Sequence, residues 1–262
     1  MLIVVPVSRT DDVLIEDFIK VFNNFGPYKD HKLLVVARPN DEEWATRVYN
    51  GIKDNEFKSH EKYLFDFNGP SGWPMGPNHY WHYTVRYIEK TKEYNEPWLW
   101  MELDMTPVKD NWANALEEEY INSNKPFMGM FSWTTTITSE QKVIKLCNHL
   151  VGVAIYPPKV SDYSKVWKHV SKIPTAWDIL TQWEVIPLAH KSDQMQNLFR
   201  TQEYTRIKDK NGNVIIKGVD ANNFPDNYRF DDPVDLEKTV MVHGCIDGSL
   251  SRLILNNKFV NK

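Results

Sequence analysis

The chain has 262 residues, 42% hydrophobic and 25% charged, with a formal net charge of −4 at pH 7. That is ample material for one large globular domain with a sizeable core, and the net charge does not suggest a general polyanion binder. Two cysteines, Cys147 and Cys245, are too few for a disulfide framework or a Cys-type zinc site; with no bilayer-length apolar stretch and no basic-flanked leader, a cytoplasmic protein with free thiols is expected.

Leu2 to Val7 is a continuous apolar run, the pattern of a strand buried on both faces, and Ser8-Arg9-Thr10 is a polar turn. A helix is predicted from Asp12 to Asn24, where Val13, Ile15, Phe18, Ile19 and Phe22 recur near the helix period and Gly26-Pro27 ends the pattern. Lys32 to Ala37 is the next strand, closed by Arg38-Pro39-Asn40, and Asp41 to Ile52 the next helix, with acids in its first turn. Strand, helix, strand, helix at this spacing predicts an α/β fold with a mostly parallel sheet, which binds ligands at the carboxyl ends of its strands.

A strand is predicted at Tyr63 to Phe67, leading into a Gly- and Pro-rich working loop over residues 69–78. Asn78 is placed as the N-cap of a helix whose face carries Tyr80, Tyr83, Thr84, Tyr87 and Ile88. Pro97 to Met105 is strand-like, followed by a helix from about Asn111 to Tyr120, then strands at Phe127 to Trp133 and His149 to Tyr156. Asn211-Gly212-Asn213 centres a predicted hairpin over Ile207 to Val219, because Asn-Gly supplies the positive φ of a tight turn. Residues 221–235 are polar and read as a surface loop. Residues 141–217 hold twelve Lys/Arg against six Asp/Glu, which allows a basic face and a phosphate-rich partner.

Two segments carry chemistry. Pro97-Trp-Leu-Trp-Met-Glu-Leu-Asp-Met105 ends in two carboxylates one residue apart; on a strand, Glu102 and Asp104 would share a face at a spacing of roughly 7 Å. Two carboxylates there suit a hard divalent cation that keeps room for substrate phosphates. Val242-His243-Gly244-Cys245-Ile246-Asp247-Gly248 places a histidine after an apolar strand, opening a glycine-flanked loop. Alone, an acidic pair commonly marks where a strand meets water, and a single histidine is commonly structural. Together they supply two carboxylates and an imidazole, a set Mn²⁺ accepts more readily than Ca²⁺, while the glycines let backbone approach a diphosphate. Trp73, Tyr80, Trp81, Tyr83, Trp133 and Trp177 are available to stack on a sugar or base, although rings at helix spacing usually belong to the core.

An N-terminal nucleotide-binding α/β half, an acidic strand end of Asp-x-Asp type and a late His-Gly segment returning to the metal resemble a GT-A fold glycosyltransferase. More narrowly, Gly72-Trp73-Pro74-x-Gly76-x-Asn78, Trp98 to Tyr120, Gly152 to Pro157, Ala176-Trp177-Asp178 and His243-Gly244-x-x-Asp247-Gly248 resemble small tailed-phage enzymes that glycosylate hydroxymethylated pyrimidines in DNA. The resemblance implies a single catalytic domain over residues 1–262, with a nucleotide-sugar half to about residue 135 and an acceptor half beyond it. It implies Asp104 and His243 as ligands of Mn²⁺ or Mg²⁺, with Glu102 direct or through water. Pro6, Val7, Ser8, Arg38, Gly76, Asn78 and Gly244 would contact the donor, a UDP-sugar, and Asp178 would act as general base in an inverting enzyme. Here the acidic motif is Glu-x-Asp, and the Lys-Pro-Trp that follows the late histidine in one retaining branch is absent. A glycan or small-molecule glycosyltransferase, a nucleotidyltransferase, and a non-catalytic carbohydrate- or nucleic-acid-binding module are the competing functions.

Overall fold

The computed structural model describes residues 1–67, 69, 72–137, 143–200, 206–208, 214–216, 228–230, 237–246 and 248–256. In chain order the first half comprises β1 (Leu2–Pro6), α1 (Asp12–Asn24), β2 (Lys32–Ala37), α2 (Glu42–Ile52), β3 (Ser59–Leu64), α3 (Met75–Lys90), β4 (Trp98–Trp100), β5 (Thr106–Pro107) and α4 (Trp112–Ser123). The second half comprises β6 (Phe127–Ile137), β7 (Val143–Tyr156), α5 (Trp177–Leu180), α6 (Gln182–Val185), β8 (Ala189–Lys191), β9 (Met195–Arg200), β10 (Arg206–Lys208), β11 (Val214–Ile216), β12 (Tyr228–Phe230), β13 (Met241–His243) and α7 (Ser249–Leu255).

Seven strands form the central sheet in the order β3-β2-β1-β4-β7-β6-β8, and only β7 runs against the rest. Helices cover both faces, so β1 and β2 must be apolar at every inward position, which is why they read as unbroken hydrophobic runs. Alternation sorts their side chains: Ile3, Val5, Leu33, Val35 and Leu99 join the layer with α1, α2 and α4. Leu2, Val4, Leu34, Val36, Trp98 and Trp100 join the layer under α3 and α5. In that second layer Trp81 stacks on Trp177 with centroids 4.4 Å apart and planes at 10°. Both rings are buried, so these two of the six candidate stacking aromatics are core. The side chain of Trp133 lies outside the described residues.

A second sheet, β12-β9-β13-β5, brings the C-terminal region back to the first half. Antiparallel pairing sets Val242 opposite Thr106 and Met241 opposite Pro107, so His243 arrives beside the segment that follows β4. Arg252 locks α7 onto α1 through Asp17 at 2.6 Å.

Several boundaries differ from expectation, among them β6, which runs on to Ile137 rather than ending at Trp133, and β7, which starts at Val143 rather than His149. β3 starts at Ser59, not Tyr63; it is the sheet edge, and its half-exposed Ser-His-Glu-Lys opening carries no apolar signal. α3 starts at Met75, so Asn78 is inside its first turn rather than capping it; Pro77 is tolerated there because first-turn N–H groups lack helical partners anyway. β4 ends at Trp100, which leaves Glu102 and Asp104 beyond the strand. Tyr228–Phe230 pairs with β9, so the 221–235 stretch includes a strand. The predicted hairpin is present as β10 paired with β11, its Asn-Gly turn lying outside the described residues. No described helix is long and apolar enough to cross a membrane.

Candidate active site

β2 and β4 flank β1 on opposite sides, which makes the carboxyl end of β1 a topological switch point, the place where open α/β sheets bind ligands. A cleft of about 390 Å³ opens there, lined by Pro6, Val7 and Ser8 after β1, Gly76 and Pro77 of α3, and Glu102 and Asp104 after β4. Pro6, Val7, Ser8 and Gly76 therefore share one cavity with both predicted acids.

The acids do not lie on a strand. A turn closed by Met105 N–H donating to the Glu102 carbonyl at 3.0 Å carries them, and β5–β13 pairing delivers His243 to its rim. Among the described residues, Glu102, Asp104 and His243 form the group able to surround a metal ion, each offering a ligand atom within 4.8 Å of the others. His243 Nε2 stands 3.5 Å from Asp104 Oδ1 and 3.9 Å from Glu102 Oε2. Two ligands at right angles around a small divalent cation lie about 3 Å apart at metal–oxygen distances near 2.1 Å, so slight contraction completes the set.

Two features fit a cation there. Asp104 Oδ1 is buried without a hydrogen-bond partner, a cost of about 1–3 kcal/mol or more for a charged group unless something else satisfies it. The far ring nitrogen, Nδ1, lies 2.7 Å from Asn197 Oδ1. As the N–H donor of that bond, Nδ1 leaves Nε2 with its lone pair toward the carboxylates, the outer-shell orientation typical of metal-binding histidines. β9 and β13 run parallel with His243 in register with Asn197, which fixes this pair.

Burial pushes the Asp104 carboxyl up, and neighbouring Glu102 adds to the rise against the pull of His243. Burial also acts to raise Glu102, but His243 and the Trp100 indole, which donates at 3.1 Å, hold it below the usual range. For His243, burial is outweighed by Asp104 and Glu102, and the imidazolium is raised to about 9. Without a cation, a proton thus supplies the positive charge these acids call for, and a divalent cation would take its place.

A third carboxylate lines the cleft. Ser8 caps the turn Arg9–Asp11, and Asp11 Oδ2 accepts from Ser8 N–H at 2.8 Å. Burial raises Asp11 to about 6, with Glu102, Asp104 and Asp41 adding to it and the Ser8 N–H opposing. An unfolded aspartate titrates near 3.9, so this group reduces stability as pH rises from about 4 to 6 and carries its full penalty above 6. Asp11→Asn keeps the capping acceptor and removes the charge. It should stabilise the cation-free protein by roughly 1–2 kcal/mol at pH 7.5 and by almost nothing at pH 4, measured by urea unfolding at both values.

Gly244 has φ +97°, and a Cβ there would stand 2.5 Å from the Leu198 carbonyl oxygen. Glycine is required at this step because only it turns the chain away from His243 without collision. Arg38 is ion-paired to buried Asp41 through Nε at 2.9 Å and Nη2 at 2.8 Å, and Tyr80 donates to the same carboxylate at 2.7 Å. Arg38 thus braces Tyr80, which lines the cleft, and is not itself a lining residue. Asn78 is wholly buried and also outside the cleft. Its amide donates to the carbonyls of Val170, Ile173 and Thr175, and its oxygen accepts from Trp177 N–H at 2.9 Å.

Asp178 follows on α5, in the wall rather than the cleft, with Oδ2 3.7 Å from His149 Nε2. Burial raises its carboxyl against the pull of His149, and its charge is felt by His243 while Glu102 acts on it in turn. Sequence reasoning missed Asp11 and Asn197. Ser8-x-x-Asp11 was legible as a capping box after the first strand; Asn197 had no local signal, since only the β9–β13 register brings it to His243. Asn197→Ala should weaken Mn²⁺ binding about 10- to 100-fold, read by titration calorimetry, with the chain still folded.

No protein-family model matches the chain, and no curated protein matches it either. Among solved structures, an active-site mutant of LgtC superposes with a TM-score of 0.51 at 10% sequence identity, over 98% of this chain and 96% of that one. Galactosyltransferase LgtC in complex with donor and acceptor sugar analogues gives 0.45 at 9% identity over 75% of this chain and 76% of that one. Mouse xyloside xylosyltransferase 1 gives 0.44 at 9% identity over 74% and 86%. The whole-chain superposition bears on architecture alone: the fold is of the GT-A type, an α/β architecture with a mostly parallel seven-stranded sheet between helices.

Proposed function

We propose that the chain is a metal-dependent glycosyltransferase that moves a sugar from a nucleotide-sugar donor, a UDP-sugar, to a hydroxyl acceptor. The observation that carries this reading is the buried, unpartnered Asp104 oxygen facing His243 beside the switch-point cleft. Glu102, Asp104 and His243 would hold Mn²⁺ or Mg²⁺, whose chemistry is to neutralise charge developing on a leaving diphosphate. Ser8 and Gly76 shape the donor's side of the cleft, and Gly244 keeps the His243 loop clear of bulk. In transfer, the acceptor oxygen bonds to the sugar's anomeric carbon while the bond to the nucleoside diphosphate breaks. The resemblance gives Asp178 as the base for the acceptor proton; its carboxylate stands beside His149 at 3.7 Å and outside the lining of the cleft, so the acceptor hydroxyl would have to reach it there. A single displacement of this kind inverts the anomeric centre.

The acceptor we favour is 5-hydroxymethylpyrimidine in phage DNA, supported by the segments around Trp73, Trp177 and His243 that resemble enzymes of that kind. A base in a duplex must be made accessible before its hydroxymethyl group can react. The test is an incubation with Mn²⁺ and a panel of UDP- and GDP-sugars, with and without hydroxymethylcytosine or hydroxymethyluracil DNA. Metal-dependent nucleoside diphosphate release with a sugar mass added to the base is expected. Release without a DNA adduct would discard the DNA acceptor, and pyrophosphate release, or none with any donor, would overturn the glycosyltransferase.

A further inference from the structure

Three of the twelve Lys/Arg in residues 141–217 lie together on one segment of the fold. The 3₁₀ segment Val166–Lys172 packs against α3, with Lys165, Lys168 and Lys172 all exposed. Exposed Arg86 of α3 belongs to the same face: burial lowers buried His82, and Arg86 and Lys172 both lower it further by their charge. The neighbouring acid Glu184 partly offsets Lys165: burial acts to raise its carboxyl, but its hydrogen bonds and the Lys165 charge hold it below the usual range. It accepts from Ser164 Oγ at 2.5 Å, Lys165 N–H at 2.9 Å and Val166 N–H at 3.1 Å.

This strip runs into the cleft. Asn78 ties its end, through Val170, Ile173 and Thr175, to the first turn of α3, where Gly76 and Pro77 line the cavity. Two residues ahead of that turn in the sequence, Trp73 is 77% exposed. A 3₁₀ helix rises about 2 Å per residue, so Lys165, at its N-cap, and Lys168 lie roughly 6 Å apart along the axis. That is close to two steps along one strand of a duplex, at about 3.4 Å each. Exposed lysines on a segment tied to the rim of a cleft, with an exposed aromatic ahead of that rim, are elements of backbone grip and base stacking.

We propose that Lys165, Lys168, Lys172 and Arg86 hold the phosphodiester backbone of a nucleic-acid acceptor and lead it past Trp73 into the cleft. The proposal rests on the glycosyltransferase reading for what the cleft then does. It assigns the acceptor class to a surface separate from the donor site, so the two can be tested apart.

The experiment measures binding of a fluorescent 30-base-pair duplex containing hydroxymethylcytosine from 50 to 300 mM salt. It compares the unaltered chain, a Lys165→Ala/Lys168→Ala/Lys172→Ala variant, and a Lys20→Ala/Lys29→Ala/Lys58→Ala variant of equal charge. The strip variant should lower the log–log salt slope by about 2–3 and weaken binding at least tenfold at 100 mM salt, with the remote variant unchanged. Equal weakening by both variants, no effect of either, or no DNA binding by the unaltered chain would overturn the proposal. Binding of vesicles with 30% phosphatidylserine in place of DNA would also overturn it, as a membrane surface instead. Metal-dependent nucleoside diphosphate release from UDP-sugar alone, measured on the same three proteins, should be equal in all. Its absence from all three counts against the glycosyltransferase reading, whatever the DNA result.

Discussion

Asp104→Asn lowers kcat/KM for sugar transfer at least a thousandfold and changes the melting temperature little. The effect on stability follows from the wild-type side chain: its Oδ1 is buried without a hydrogen-bond partner, and burial pushes its carboxyl up. An amide of the same shape removes a charge whose burial is costly, but it also removes a partner that holds His243 protonated, so the two effects oppose and the cation-free fold shifts little. The direction on activity follows from the ligand set. Removing one of two anionic ligands from a three-residue site costs several kcal/mol of stabilisation of the leaving diphosphate, and each 1.36 kcal/mol is a factor of ten in rate. Glu102→Gln is milder, about 10- to 100-fold, because Glu102 is more exposed and retains its bond from the Trp100 indole. Steady-state kinetics and thermal unfolding on the same preparations separate the two effects.

The second large effect is on the fold. Asn78→Ala should destabilise the chain by roughly 3–4 kcal/mol, seen as a shift of the urea midpoint with little change in slope. The side chain is wholly buried and joins α3 to Val170, Ile173, Thr175 and Trp177. Alanine leaves the Trp177 N–H and those carbonyls without partners in a place water does not reach. The damage spreads to the Trp81–Trp177 stack and to Gly152, where a Cβ would already stand 2.7 Å from the Trp177 ring. Asp178 follows Trp177 directly, so a folded remnant at low temperature should also transfer sugar more slowly.

The contrast between these residues explains what was legible in the chain. β1, α1, β2 and α2 were readable almost to the residue because their signals are local: an unbroken apolar run for a doubly covered strand, a 3.6-residue apolar period for a helix with one buried face. The predicted strand at Tyr63 to Phe67 is displaced from β3 because an edge strand with a mixed face lacks either signal; Phe65 and Phe67, beyond its end, pack on Tyr83. Glu102, Asp104 and His243 were legible as residue types beside strand ends. Their arrangement was not: the pair sits on a turn, and its approach to His243 depends on β5 pairing with β13 across more than 130 residues of chain. Asn78 illustrates the opposite failure, since its neighbourhood of glycine and proline drew attention to ligand contact whereas its partners, about ninety residues away, make it a brace.

Mn²⁺-edge anomalous diffraction from crystals grown with Mn²⁺ and UDP tests the central claim most directly. One strong peak is predicted between Glu102, Asp104 and His243, roughly 2.0–2.4 Å from Asp104 Oδ1 and His243 Nε2, with the diphosphate of UDP completing the shell. A peak elsewhere, or none while UDP occupies the cleft, would contradict the metal centre and with it the account of catalysis built on these three residues.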